Sequence, residues 1–342
     1  MNKRIKDILP TPTDEYNVIT KSFNSTAAAY PKDKCVHQLI ELQADYNPQK
    51  PAVIAVDGAL TFGELNHKAN QIAHSLISLG IGKGAIVAVL LPRTSLLLPA
   101  MLGVLKTGAA YMPIDPSYPR ERIDYLLSES RSKYCIDEST IETLCSNTKI
   151  DNLNMPVSMS DYFCALHTSG STGKPKLTVL RQQNLLNFLF ANTDFWEDVD
   201  TVISVTIVTF DIFMQDTLLS LALGKKVVLA SNDQIFNQAE FEKMFENEEN
   251  VMFFSTPTKL MSYIKGSETA AFLKKIRSLI VGGEVFTDEL YDLIVEKLNT
   301  VETGGIDSQP CTPPAKFQIR IYNGYGPTET TLGATFSYHF LP

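Results

Sequence analysis

The sequence predicts an α/β protein with two lobes, each built on a largely parallel sheet flanked by helices. Short apolar runs that suit strands buried on both faces, such as residues 85–91, recur along the chain. Between them lie segments whose apolar residues are spaced as on one face of a helix. Such alternation implies parallel sheets covered by helices. The 342 residues, 44% of them hydrophobic, are enough for two cores.

In the first half, a polar leader at residues 1–20 precedes the regular elements. The best-marked helix begins after Thr61, which forms the pattern of a capping box with Glu64, and Gly80 marks its end. The other predicted elements are helices at 37–46, 95–106 and 120–128 and strands at 52–56, 85–91, 109–114 and 134–137.

In the second half, the apolar runs 162–166 and 177–180 predict two strands joined by a turn-rich loop. Residues 300–315, with two glycines and three prolines, predict a surface insertion. The remaining predicted elements are strands at 202–205, 226–229, 251–254, 279–281 and 318–322 and helices at 212–223, 238–246 and 287–298.

The composition argues against several classes of function. Thirty Lys and Arg against 38 Asp and Glu leave a net charge of −8, which does not favour nucleic acid or an anionic membrane. No apolar run reaches the roughly 18 residues of a membrane span, and residues 1–16 lack the apolar core of a secretory signal. Five scattered cysteines without a C-x-x-C pair favour reduced thiols in the cytoplasm.

The most informative segment is LHTSGSTGKPK at residues 166–176. Its glycines let the backbone curl round a ligand, while its hydroxyls and lysines supply donors and positive charge, so the loop suits a polyphosphate. It is not a Walker loop, because only two residues separate Gly170 from Gly173 and Pro175 follows Lys174. The alternative is a flexible solvent loop without function.

A second segment, NGYGPTETT at residues 323–331, follows a predicted buried strand, at the sheet edge where open α/β sheets bind ligands. Glu329 is a hard oxygen ligand that suits Mg²⁺ beside phosphates. Tyr325 offers a flat face to a base or ribose, and Asn323 can donate to and accept from a purine edge. The alternative is a Gly-Pro turn followed by a helix cap.

Two further segments carry weaker signals. Gly282-Gly283-Glu284 follows an apolar strand, and its glycines would let a flat ring approach the backbone, although a plain strand-to-helix turn explains it equally well. Asp211 precedes an apolar helix. It is either an ordinary N-cap or an anion in a cleft that pairs with a substrate ammonium.

The segments at 166–176 and 323–331 resemble two motifs of the adenylate-forming enzymes. In that family the phosphate loop has the pattern T-S-G-S-T-G-x-P-K-G, and the metal and adenine motif is Y-G-P-T-E. Leu177 stands where the family usually has glycine, and Gln182 where histidine is frequent. The wording LKTGAAYMPIDPSYPRER at 105–122 is typical of the amino-acid adenylation domains of nonribosomal peptide synthetases. The resemblance covers residues 21–342 and implies the N-terminal large domain of the adenylate-forming fold.

The resemblance also implies roles for individual residues. Catalysis would depend on Thr168, Lys176 and Glu329, with Glu329 as the magnesium ligand. The predicted ATP-binding residues are Thr168, Ser169, Gly170, Ser171, Thr172, Gly173, Lys176, Gly283, Glu284, Asn323, Gly324, Tyr325, Gly326 and Thr328. The predicted amino-acid pocket consists of Asp211, Ile212, Gln215, Phe254, Ile280, Gly282, Gly324, Leu332 and Gly333. Three glycines predict a deep pocket, and the lack of a second charge predicts a sizeable neutral substrate.

The implied activity is the activation of an α-amino acid with ATP and Mg²⁺ to an aminoacyl-adenylate and pyrophosphate. The intact family members then pass the acyl group to the phosphopantetheine thiol of a carrier protein. They continue into a mobile C-terminal subdomain, so we expect this chain to be a truncated, weakly active core. Whether a small MbtH-like helper protein binds near residues 120–125 stays open. The alternatives are an acyl- or aryl-acid ligase of the same superfamily and a non-catalytic nucleotide-binding module.

Overall fold

The computed structural model describes residues 13–168, 175–300 and 319–341. Contacts divide the chain into two compact units, residues 1–31 and residues 32–342. The described part of the first unit holds a short helix, α1 (Thr13–Asn17), followed by a π-helical turn, Val18–Ser22. Residues 1–12 of the predicted leader and nearly all of the predicted insertion at 300–315 lie outside the described residues.

Strands of the second unit form two sheets. In chain order the described strands are β1 (Pro51–Ala55), β2 (Gly58–Thr61), β3 (Ile86–Leu90), β4 (Ala110–Pro113), β5 (Tyr134–Asp137), β6 (Tyr162–Thr168), β7 (Lys176–Arg181), β8 (Thr201–Ser204), β9 (Lys226–Leu229), β10 (Val251–Ser255), β11 (Ile276–Gly282), β12 (Ile319–Tyr325) and β13 (Thr335–Leu341).

The larger sheet has the order β13-β12-β11-β10-β8-β9-β1-β2 and the smaller one β5-β3-β4-β6-β7. Neighbours are parallel except in the edge pairs β1–β2, β12–β13 and β6–β7, which are antiparallel. The prediction of an α/β fold with largely parallel sheets is thus confirmed. The hairpin β1–β2 joins the larger sheet through β9, although the next five strands in the chain belong to the smaller one.

Helices connect most of the strands. In the second unit they are α2 (Val36–Tyr46), α3 (Phe62–Ser78), α4 (Leu97–Lys106), α5 (Arg120–Ser130), α6 (Ile141–Cys145), α7 (Gln182–Ala191), α8 (Ile212–Met214), α9 (Ser220–Ala222), α10 (Asn232–Phe236), α11 (Gln238–Lys243), α12 (Pro257–Gly266) and α13 (Asp288–Thr300). Short turns of 3-10 helix lie at Thr193–Trp196, Ala271–Lys275 and Thr328–Thr330, and a π-helical turn at Gln215–Leu219 joins α8 to α9.

The capping box predicted for α3 is confirmed. The Thr61 hydroxyl accepts a bond from the Glu64 amide at 3.2 Å, and the Glu64 carboxylate accepts one from the Thr61 amide at 2.8 Å. Gly80 has a positive φ of 78°, which suits the end of a helix. The predicted continuous helix at 212–223 instead contains the π-helical turn, so its pitch changes beside the candidate site.

Buried arginine contacts link the two sheets. Arg93 follows β3 of the smaller sheet, and its guanidinium donates to the carbonyls of Ser204, Thr206 and Ala230, at the carboxyl ends of β8 and β9. Its planar fork of donors thus reaches three backbone carbonyls at once. This arrangement ties the smaller lobe to the carboxyl ends of strands in the larger sheet, the edge at which open α/β sheets generally bind ligands.

Lys106, in the 105–122 segment, has a structural role. Lys106 is 1% exposed and pairs with Glu41 of α2. Burial lowers the pKa of Lys106, and the Glu41 carboxylate acts in the opposite direction. A buried charge with a single ionic partner depends on that partner, so this pair fixes α2 against α4.

None of the helices within the described residues is long and apolar enough to span a bilayer.

Candidate active site

The predicted phosphate loop connects the paired strands β6 and β7. Thr168 ends β6, Lys176 begins β7, and the two residues lie opposite each other in the antiparallel ladder. Both predicted donors therefore stand side by side where the loop leaves the sheet. The predicted contacts at Ser169, Gly170, Ser171, Thr172 and Gly173 lie outside the described residues.

A hydrogen bond joins the two predicted motifs. Glu329 lies in the 3-10 turn that follows β12, 161 residues beyond Thr168, and the Thr168 hydroxyl donates to its Oε1 at 3.2 Å. The carboxylate is exposed, so its other oxygen can bind a cation. Magnesium is commonly held by one or two carboxylates together with substrate phosphates, and Glu329 beside the phosphate loop fits that donor set.

The residues predicted to contact adenosine cluster at the carboxyl ends of β11 and β12. Gly282 pairs with Gly324 and Val281 with Asn323 in the parallel ladder. Tyr325 is 72% exposed, so a face of its ring is open to a stacking partner. A Cβ at Gly326 would lie 2.6 Å from the Cα of Gly333, so glycine is required there for close backbone approach.

Glu284 is engaged within the protein. Gly283 before it has a φ of 84°, which turns the chain sharply after β11. The Glu284 carboxylate then accepts hydrogen bonds from the amide and hydroxyl of Thr258, in the first turn of α12. The Thr258 hydroxyl and amide hold the pKa of Glu284 below its usual value. The side chain of Glu284 thus orders the turn, and its predicted contact with ATP stays a prediction.

Asp211 combines burial with an unpartnered oxygen. It follows the carboxyl end of β8 and is 8% exposed. Its Oδ1 accepts from the Ile212 amide at 2.8 Å. Oδ2 has no partner at hydrogen-bond distance among the described residues, although the Thr328 hydroxyl and the Leu332 backbone lie near the carboxylate. Its backbone is helical, with φ −61° and ψ −36°, whereas an N-cap is extended and bonds to amides two or three residues on. The N-cap interpretation is therefore the weaker one.

The surroundings of Asp211 connect it to the second motif. Burial raises the pKa of its carboxyl, and the Thr328 hydroxyl and the Ile212 and Leu332 backbone partly offset this rise. Thr328 and Leu332 flank Glu329, which is bonded to Thr168. The structure thus brings the phosphate loop base, the magnesium candidate and the buried acid into one region.

The predicted pocket wall is apolar apart from one amide. Gln215 lies one helical turn beyond Asp211, on the same side of the helix, and is fully buried. Both atoms of its side-chain amide lack a partner among the described residues. Phe254 and Ile280 are buried neighbours on β10 and β11. A buried amide without partners is costly, so this position favours a ligand or water that can bond to it.

Three glycines predicted a deep pocket, but at two of them, Gly324 and Gly333, the space beside the backbone is already occupied. Gly324 and Phe336 are directly paired between β12 and β13. A Cβ at Gly324 would lie 2.6 Å from the Phe336 ring, and a Cβ at Gly333 would overlap the same ring. The space left by these glycines is filled by Phe336, a residue that sequence reasoning missed. The strand β13 that carries it had not been predicted, so no register was available to align the pair.

The turn after Glu329 has a strained backbone. Thr331 and Leu332 are consecutive non-glycine residues with φ of 67° each. Such conformations cost about 1–3 kcal/mol each and persist where the surrounding structure enforces them. Leu332, a predicted pocket residue, is 3% exposed, so its packing holds the turn beside Asp211.

A buried acid next to the site gives a pH-dependent stability. Asp216 is fully buried, its Oδ2 accepts from the Thr206 hydroxyl, and Oδ1 has no partner among the described residues. Burial raises its pKa from 3.8 to about 7, against the opposing effects of Thr206, Arg93 and Ser204. Since the folded state holds this proton more tightly, the stabilising contribution is complete below pH 3.8 and is lost as the pH rises through about 7.

Asp216→Asn should therefore flatten the fall in stability between pH 5 and pH 8. Thermal unfolding across this range, with Asp233→Asn on an exposed helix as the control, measures the effect. An equal pH dependence in the wild type and in Asp216→Asn would contradict this prediction.

Comparison with known proteins places this geometry in a family. The sequence profile described as "AMP-binding enzyme" matches residues 40–341. Gramicidin S synthase 1 of Brevibacillus brevis is 30% identical over 331 residues, which cover 91% of this chain and 28% of that protein. Bacitracin synthase 3 of Bacillus licheniformis is 31% identical over 347 residues, which cover 97% of this chain and 5% of that protein.

Solved structures share the fold. The N-terminal subdomain of Klebsiella oxytoca NpsA, in complex with 3-hydroxybenzoyl-AMSN, has a TM-score of 0.75 at 21% identity and covers 92% of this chain and 78% of that one. The nonribosomal peptide synthetase FmoA3, in its α-methyl-L-serine-AMP-bound form, has a TM-score of 0.81 at 22% identity and covers 94% and 36%. These likenesses confirm the predicted N-terminal domain of the adenylate-forming fold. The match of the profile to residues 40–341 shows that the chain belongs to the AMP-binding enzyme family, in agreement with its resemblance to peptide-synthetase adenylation domains.

Proposed function

We propose that this chain binds ATP, Mg²⁺ and a neutral α-amino acid, and that it is the core of an enzyme that converts ATP and the amino acid into an aminoacyl-adenylate and pyrophosphate. The observation that carries the proposal is the buried Asp211 carboxylate, which lies beside the turn that holds Glu329 and whose Oδ2 has no hydrogen-bond partner in the part of the chain that the structure describes. An ammonium group would supply the missing partner with a charge-assisted hydrogen bond. The Thr168–Glu329 bond supports a phosphate and metal site next to it.

The proposed reaction forms a bond between a carboxylate oxygen of the amino acid and the α-phosphorus of ATP. The bond from that phosphorus to the bridging oxygen of the β-phosphate breaks, and pyrophosphate leaves with the electron pair. Asp211 would orient the amino acid, while Thr168 and Lys176 would hold the departing phosphates. Magnesium held by Glu329 would offset negative charge on those phosphates. The contribution of the protein is therefore positioning and electrostatic stabilisation.

The substrate side chain would meet an apolar wall with one hydrogen-bonding group. Phe254, Ile280 and Leu332 supply the wall, and the Gln215 amide supplies the polar contact. None of these residues is charged, so a charged substrate side chain would be left without a partner, at a cost of several kcal/mol. The proposed substrates are thus neutral amino acids.

A second candidate, an aryl- or acyl-acid ligase, has support from the 3-hydroxybenzoyl-AMSN bound to NpsA. Asp211 argues against it, because a buried anion without an ion-pair partner among residues 13–168, 175–300 and 319–341 would face a substrate that lacks an amine. The peptide synthetases among the relatives support a further proposal, that the acyl group passes to the phosphopantetheine thiol of a carrier protein. A small MbtH-like helper remains a candidate partner.

Calorimetry with ATP, magnesium and the proteinogenic amino acids tests the function. We expect neutral amino acids to bind in the presence of nucleotide and Asp, Glu, Lys and Arg to bind at least tenfold more weakly. ATP–pyrophosphate exchange with the same amino acids provides the catalytic readout. Preference for a charged amino acid would contradict the pocket assignment. Nucleotide binding without any amino acid would favour the non-catalytic module, and binding of benzoates alone would favour the aryl-acid ligase.

A further inference from the structure

The Phe336 ring packs within a cluster of aromatic side chains. It packs edge-to-face on Phe195, with ring centroids 5.0 Å apart and an interplanar angle of 71°, and lies 6.1 Å from Phe188 of α7. Phe195 is 1% exposed and packs in turn on Tyr322, the residue two positions before Gly324 on β12. These contacts favour a single orientation of the ring, because moving it would break two aromatic pairs. The Phe336 ring therefore forms one side of the predicted pocket, next to Gly324 and Gly333.

This side of the pocket lies next to the proposed ammonium site. The backbone of Leu332 lies beside the Asp211 carboxylate, and the following residue, Gly333, is in contact with the Phe336 ring. From the neighbouring strand, the Phe254 ring would lie 3.6 Å from a Cβ at Gly282. Aromatic rings therefore border all three pocket glycines, which the sequence alone had suggested were open.

We propose that Phe336 determines substrate size and restricts this site to neutral α-amino acids with small side chains. This inference rests on the proposed function, since it assumes that the amino acid is anchored at Asp211. It replaces the expectation of a sizeable substrate, which depended on counting glycines. A ring at 336 reduces the pocket as effectively as side chains at 324 and 333 would, because it occupies the same volume.

Aminoacyl sulfamoyl adenosines are suitable probes, because they present the amino acid and the nucleoside in one stable molecule. We expect the wild type to bind the alanyl and seryl analogues at least about tenfold more tightly than the leucyl and phenylalanyl analogues. In Phe336→Ala this preference for small over large analogues should fall by about tenfold or more, while the affinity for ATP should change by less than about threefold. Phe336→Leu should give an intermediate ratio.

Tyr338→Ala is the matched control, since Tyr338 lies two positions along the same face of β13 and is 61% exposed. Its ratio should equal that of the wild type. Equal binding of large and small analogues by the wild type would overturn the inference, as would an unchanged ratio in a folded Phe336→Ala protein. If Phe336→Ala does not fold, the wild-type ratio and Phe336→Leu decide. Binding of ATP without any aminoacyl analogue would instead count against the proposed function.

Discussion

Replacing Asp211 by Asn is expected to weaken binding of the preferred neutral amino acid by a factor on the order of 10²–10³. The substitution keeps the size of the side chain and the bond from the Ile212 amide, but removes the negative charge. A substrate ammonium would then be desolvated without an ionic partner, and that loss is typical of breaking a buried charge pair. ATP affinity should change little, because Asp211 is not among the predicted nucleotide contacts.

Titration calorimetry with the amino acid, in the presence of magnesium and an ATP analogue, measures this effect. Asp216→Asn is the matched control, since Asp216 is another buried aspartate on the same helical segment and is not among the predicted pocket residues. Binding by the wild type should also weaken as the pH falls through the raised pKa of Asp211, because the protonated acid cannot pair with an ammonium. Unchanged amino-acid affinity in Asp211→Asn would remove the main support for an amino-acid substrate.

Replacing Glu329 by Gln is expected to lower the rate of ATP–pyrophosphate exchange by about 10²–10³, the usual cost of removing one charge-stabilising group from an active site. Gln retains an oxygen that can accept from the Thr168 hydroxyl, so the local geometry should survive. The neutral amide is a poor ligand for magnesium, and the charge on the phosphates would be less well compensated.

Thr168→Val separates the hydrogen bond from the charge, because it removes the donor to Glu329 and keeps the carboxylate. We expect a smaller loss of rate in Thr168→Val and a magnesium requirement close to that of the wild type. In Glu329→Gln the magnesium concentration needed for half-maximal exchange should rise at least about tenfold. Glu240→Gln, at an exposed residue paired with Lys243, is the surface control. A wild-type magnesium response in Glu329→Gln would show that another residue holds the metal.

The elements that were predicted well from the sequence are those that depend on residues close together in the chain. Strands 134–137 and 226–229 have the predicted bounds, because each is a short apolar run between turn residues. The Thr61–Glu64 box formed as expected, since its two hydrogen bonds involve residues only three apart. The candidate nucleotide-site residues could be proposed from sequence for the same reason, because the hydroxyl-rich loop and the segment around Glu329 are each a single short stretch of the chain.

Which groups meet was decided by the tertiary structure. The sequence alone determined the α/β class, most of its strands and helices, and the residue types available for nucleotide chemistry. It did not assign the β1–β2 hairpin to the distant sheet, nor did it place Arg93 on the ends of β8 and β9. The surroundings of Asp211 depend on packing against a segment more than 100 residues further along the chain. The position of the Phe336 ring beside Gly324 depends on how β13 pairs with the neighbouring strand β12. Such contacts follow from strand order and register, which periodicity within a single segment does not encode.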